Sequence, residues 1–123
     1  MISKTKKLIN SFKYAFSGIV SSFKTERNMK IHVLIMILVI IAGIIFKISA
    51  LDWIILTIMI ALVISAELFN TTFETVVDMI TKERNEKAKL AKDIAAGAVL
   101  VLAIGSIIVG LIIFVPKTLE FFK

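Results

Sequence analysis

Hydrophobic positions along the chain gather into three long runs, preceded by a segment with a different rhythm. In residues 1–24, Lys4, Lys6, Lys7, Lys13 and Lys24 alternate with Leu8, Ile9, Phe12, Tyr14, Phe16, Ile19, Val20 and Phe23. Charges recur too often there for a membrane span, and the pattern predicts an amphipathic helix lying in the interface. Gly18 is expected to mark a bend or a close contact. The first apolar run, Ile31 to Phe46, is short for about 30 Å of hydrocarbon, so its helix should start near Thr25 and cover about 25–48. Lys47 to Asp52 reads as a turn, and Trp53 sits where an interfacial aromatic belongs. The second run predicts a helix over about 53–84, longer than the hydrocarbon is thick. Thr81 to Lys92 is a charged connection. The third run, about 92–115, contains Ala95, Ala96, Gly97, Ala98, Gly105, Ser106 and Gly110, small residues that let helices approach closely. Pro116 is expected to end it, with Phe121 and Phe122 interfacial. The fold class is therefore all-α and integral to the membrane: one domain of three transmembrane helices plus an amphipathic surface helix.

Composition narrows this further. Of 123 residues 59% are hydrophobic, with a mean hydropathy of +0.97, too apolar for a soluble domain of this size. The chain has no cysteine, which excludes disulfides and thiolate metal sites. The N-terminus lacks the apolar core and cleavage site of a signal peptide, so no segment is expected to be removed. The net charge of +6 is clustered in the N-terminal segment and the second connection. By the positive-inside rule, the N-terminus and the 81–93 loop are cytoplasmic and the C-terminus lies outside a multi-pass plasma-membrane protein. The charge suits an anionic membrane surface or a phosphate ligand; no aromatic-basic interleaving of a nucleic-acid reader is present.

The segment Glu67-Leu68-Phe69-Asn70-Thr71-Thr72-Phe73-Glu74-Thr75-Val76-Val77-Asp78 breaks the apolar pattern of the second run. At about 100° per residue, Glu67, Asn70, Thr71, Glu74 and Asp78 fall within roughly 100° of arc, and Phe69, Phe73, Val76 and Ile80 lie opposite. A polar stripe can serve only as interhelical glue. Three carboxylates on one face repel one another, however, and a hard divalent cation would relieve them. Counting inward from Trp53, Glu67 lies inside the far hydrocarbon boundary, Glu74 near it and Asp78 in the headgroup zone. The stripe thus runs from lipid to water on the cytoplasmic side. Glu26, set among cations, and Lys92-Asp93 arrive at the same level. Carboxylates that hold Mg²⁺, a lysine and a carboxylate base are the equipment of phosphoryl transfer. There is no Walker A or kinase Gly-rich loop, no Rossmann fingerprint and no zinc ligand set, and the lone His32 cannot make a metal site. A small transporter, in which Glu67 relays protons, or a membrane adaptor is the alternative from another class.

The motif E-x-x-N-T-x-x-E-x-x-V-D at Glu67 to Asp78, followed by A-K-D-x-A-A at Ala91 to Ala96, resembles the prokaryotic diacylglycerol kinase family, as does the Gly18…Glu26-x-x-x-Lys30 spacing. The likeness spans essentially the whole chain and leans toward the Gram-positive branch, whose members are undecaprenol kinases. It implies a homotrimeric membrane kinase with active sites shared between protomers, ATP as phosphoryl donor and Mg²⁺ as cofactor. It implies Glu67 as general base on the lipid hydroxyl, supported by Asn70 and Asp78, with Glu26 and Glu74 as metal ligands. Lys92, Asp93, Glu83, Arg84, Asn85 and Tyr14 would contact the nucleotide, and Lys7 with the 11–16 stretch would border headgroup and ATP. Ala96 stands where the diacylglycerol-specific branch tends to have Ser, and Lys30 where that branch has an arginine. These departures favour undecaprenol, keep a diacylglycerol kinase making phosphatidic acid as the alternative, and leave the base and metal roles untouched.

Overall fold

The computed structural model describes residues 3–123; Met1 and Ile2 of the expected surface helix lie outside the described residues. Four helices follow one another: α1 Lys4–Thr25, α2 Arg27–Ile45, α3 Ala50–Ile80 and α4 Glu86–Phe121. The last three are long and apolar enough to cross a membrane. Among the described residues there is no strand.

The helix ends are set by local hydrogen bonds that hydropathy does not report. α1 opens on Ser3, whose side chain accepts from the Lys6 amide at 3.2 Å, and it runs straight through Gly18. A Cβ at Gly18 would meet nothing within 4 Å, so the expected bend or close contact is absent. The break falls instead at Glu26, which is extended (φ −107°, ψ 119°) and joins α1 to α2. The membrane helix expected over 25–48 is therefore shorter at both ends.

α2 closes in a Schellman motif. The Ile48 amide donates to the Gly43 carbonyl at 3.2 Å and the Lys47 amide to that of Ile44 at 3.3 Å, with Lys47 left-handed at φ 50°. Ser49 then caps α3, accepting from the Asp52 amide at 3.1 Å, so this helix begins at Ala50 rather than Trp53. It stops at Ile80, short of the expected Arg84. The Thr81 hydroxyl accepts from the Glu83 amide at 3.2 Å, a local bond that competes with continuing the helix. Asn85 caps α4 by accepting from the amides of Lys87 and Ala88 at 2.9 and 3.2 Å.

Pro116 does not end the third span. α4 continues to Phe121, because aromatic packing holds the chain on both sides of the proline: Phe46 packs tilted against Phe114 (6.2 Å between ring centroids) and edge-on to Phe121 (5.5 Å). α3, of 31 residues and roughly 46 Å, packs chiefly along α4 and less on α2, while α1 reaches α2 and α3. The apolar core lies at the α2–α3 turn. Ile48, Leu56 and Ile113 are buried there with Phe46 and Trp53 against them. Of the small residues in α4, Gly105 sits under Met59 of α3, whereas Gly97 and Gly110 face open space.

Candidate active site

The end of α3 opposite the core carries the polar stripe, and its inner members are the most buried polar groups on the helix. Glu67 is 1% exposed and Asn70 6%. Glu67 Oε2 and Asn70 Oδ1 have no hydrogen-bond partner among the described residues. Buried polar atoms are ordinarily paired, and an orphaned carboxylate oxygen is costly unless it awaits a ligand. Both residues line a cavity of about 320 Å³ with Asn28 and His32 of α2 and Ala96 and Val99 of α4. A second, nearly apolar cavity of about 230 Å³, lined by Met36, Leu56, Met59 and Val63, shares His32 and Ala103 with the first. A chamber of mixed lining, with Asn28, His32, Glu67 and Asn70 as its polar groups, thus adjoins one suited to hydrocarbon.

Two more carboxylates close on Glu67. Glu26 and Glu74 are half-buried and near enough for their charges to act on it. Glu26 stands at the N-cap of α2 yet its side chain makes no capping bond, so its carboxylate is free for another partner. Further toward the charged turn, Asp78 accepts from Lys92 Nζ at 2.6 Å, which ties α3 to α4. Lys92 also feels the charge of Glu74. Asp93 is held by Lys89 at 2.7 Å on its own helix.

The sequence-predicted residues therefore fall into two groups. Glu26, Glu67, Asn70 and Glu74 converge, with Asp78 and Lys92 beside them. Lys7 and Tyr14 stay exposed on α1, and their side chains make no hydrogen bond or ion pair among the described residues. Glu83 and Arg84 are exposed in the turn, and the side-chain oxygen of Asn85 is committed to capping α4. No three His, Asp or Glu among the described residues gather closely enough to hold a metal unaided. Two carboxylates of the hard-oxygen type nevertheless suit Mg²⁺, which is usually bound through one or two of them plus substrate phosphates.

One contact was not anticipated. Ser22, the one buried residue of α1, lies with its hydroxyl 3.1 Å from that of Thr71 on α3. On a helical wheel it shares a narrow stripe with Ser11 and Gly18, a weak signal because those two are not packed.

Known sequences place the chain in a family. The profile of the family described as prokaryotic diacylglycerol kinase matches residues 13–114. The undecaprenol kinase of Bacillus subtilis is 41% identical over 115 residues, covering 94% of both chains. A diacylglycerol kinase of Synechocystis sp. is 41% identical over 114 residues, 92% of this chain and 65% of that protein. The diacylglycerol kinase of Haemophilus influenzae is 34% identical over 108 residues, covering 87% and 92% of the two chains. Matched over most of its length by both profile and relatives, the chain belongs to the prokaryotic diacylglycerol kinase family.

Proposed function

We propose that the chain transfers the γ-phosphoryl group of ATP to the hydroxyl of a membrane lipid alcohol, undecaprenol, at the cytoplasmic interface. The observation that carries this reading is Glu67. It is a buried carboxylate with an unpaired oxygen, set between an apolar cavity and a polar edge of carboxylates and a lysine. In this reading the lipid hydroxyl reaches Glu67 and Asn70 in the mixed chamber while its hydrocarbon occupies the apolar one. Glu67 takes the hydroxyl proton as the oxygen attacks the γ-phosphorus, and ADP leaves. Asn70 orients the hydroxyl. Lys92, positioned by Asp78, neutralises phosphate charge, and Asp93 with the 83–85 turn borders the nucleotide, as do Lys7 and Tyr14 once it is bound. Glu26 and Glu74 would hold Mg²⁺, which when bound supplies positive charge to the phosphates.

The long-chain alcohol is favoured over diacylglycerol by Ala96 and Lys30 and by end-to-end similarity to the Bacillus kinase. On α1, Leu8, Phe12, Phe16, Ile19 and Phe23 share an arc of roughly 80° at 100° per residue and are all exposed. That face suits the membrane interface, as a surface helix requires. The unpartnered face of Phe69, Phe73 and Ile80 suits lipid or neighbouring copies in a homotrimer with shared sites.

Phosphorylation of undecaprenol and diacylglycerol side by side in the same micelles tests the substrate. Roles are tested by calorimetry of MgATP binding together with turnover. Glu67→Gln should lower turnover by a factor of about 10² or more with MgATP affinity nearly unchanged. Glu74→Gln should weaken MgATP binding itself. Equal loss of nucleotide affinity in both variants would refute the division of labour, and equal preference for the two lipids would refute the substrate assignment.

A further inference from the structure

Ser22 makes two bonds that meet at the candidate site. Its carbonyl accepts from the Glu26 amide at 2.9 Å, ending α1 at the break that carries Glu26. Its hydroxyl lies 3.1 Å from Thr71 Oγ1. Proton accounting fixes the direction of this second bond. A hydroxyl has one hydrogen, and that of Thr71 goes to the Glu67 carbonyl at 3.0 Å, so Ser22 donates to Thr71. A chain therefore runs from Ser22 to Thr71 to the backbone of Glu67, on the turn of α3 that leads on to Glu74.

The geometry has a consequence for Glu26. Its backbone is extended, its side chain caps nothing, and it lies between two helices that could pivot about it. A serine within a helix ordinarily bonds back to its own preceding turn. Here the hydroxyl crosses to another helix and is 4% exposed, the only buried position on α1. We propose that Ser22 and Thr71 form a positioning pair that fixes the end of α1 against α3 and so sets the Glu26 carboxylate opposite Glu67 and Glu74. Neither residue touches substrate; both act through Glu26. The proposal rests on reading Glu26 as a ligand of MgATP.

The test uses Ser22→Ala, Thr71→Val, Thr71→Ser and the Ala/Val double variant in full-length protein, with three readouts. The first is the KM for MgATP, which should rise roughly three- to tenfold in Ser22→Ala and Thr71→Val, the range of one lost hydrogen bond, while kcat changes less. The double variant should be no worse than either single one, and Thr71→Ser should retain the parent KM. The second is amide hydrogen exchange, which should accelerate over residues 22–28 in Thr71→Val, although the substitution lies on another helix. The third is MgATP binding by Glu26→Gln, which should be weakened. Unchanged exchange over 22–28 in Thr71→Val overturns the pair while leaving the role of Glu26 intact. Faster exchange with an unchanged KM, or undiminished MgATP binding by Glu26→Gln, overturns the proposal through the reading of Glu26. Additive effects in the double variant, or a Thr71→Ser variant as impaired as Thr71→Val, also overturn it.

Discussion

Gly43→Ala is a change of one methyl group whose effect follows from distances at the α2–α3 turn. A Cβ at residue 43 would lie 2.6 Å from Trp53 Cη2, 2.8 Å from Cζ2 and 3.1 Å from Ile48 Cδ1. Non-bonded carbons rest at about 3.5–4.0 Å, so the ring would have to retreat by roughly 1 Å. Indole is rigid, and Trp53 is packed against the Ile48, Leu56 and Ile113 cluster, so the retreat disturbs the core. Overpacking of this kind costs about 1–3 kcal/mol, and the better helix propensity of alanine returns about 0.5–1 kcal/mol. A net loss of about 1 kcal/mol, at most about 2.5 kcal/mol, is expected. It can be measured by unfolding in mixed micelles followed by circular dichroism, at fixed protein and detergent concentration. Trp53 is the sole tryptophan, so a shifted fluorescence spectrum in the folded variant would locate the strain. The control is Gly43→Ala in a Trp53→Leu background, where the methyl has room and the penalty should vanish. Unimpaired stability of Gly43→Ala, or an equal penalty in both backgrounds, would refute the reasoning.

Two further outcomes are expected. Lys47→Gly should stabilise the chain by about 0.5–1 kcal/mol in the same assay, because glycine takes the left-handed φ of 50° without a Cβ clash, and Lys47→Val should destabilise it. A topology reporter fused after Lys123 should be active only outside the cytoplasm and one inserted within residues 82–90 only inside; the reverse pattern would separate the candidate site from ATP.

The number of spanning helices and the polar stripe were legible because both are periodic. Apolar runs count the helices, and a 3.6-residue repeat puts Glu67, Asn70 and Glu74 on one side wherever α3 begins or ends. Helix ends were not legible, because each depends on a few side-chain bonds. The Thr81 hydroxyl stops α3 four residues before Arg84, and Ser49 starts it before Trp53. Pro116 misled for a related reason: a proline that breaks an isolated helix is tolerated where Phe46 clasps aromatic rings on either side of it. Gly18 marked nothing, since the break came at Glu26, which resembles any other helix-compatible residue in the sequence. The Ser22–Thr71 bond needs two helices in register and had no local signature.

These contrasts follow a division along the long axis of the molecule. At the α2–α3 turn every device serves rigidity: the Schellman closure, the Ser49 cap, the Gly43–Trp53 contact and the aromatic clasp around Pro116. Fourteen residues along α3 from Trp53, roughly 21 Å away, the character reverses. Glu67 and Asn70 have unpaired oxygens, Glu26 caps nothing, and α1 is held to α3 by a hydroxyl pair rather than an apolar core. Buried Met29 and Val99 and the Lys92–Asp78 pair hold this end, and α3, one continuous helix, joins it to the anchored turn. Changes at sites this far apart with no shared partner act almost independently. The stability of the hairpin and the chemistry of the carboxylates can therefore vary separately, which lets a chain with few buried residues carry unsatisfied acids within a membrane.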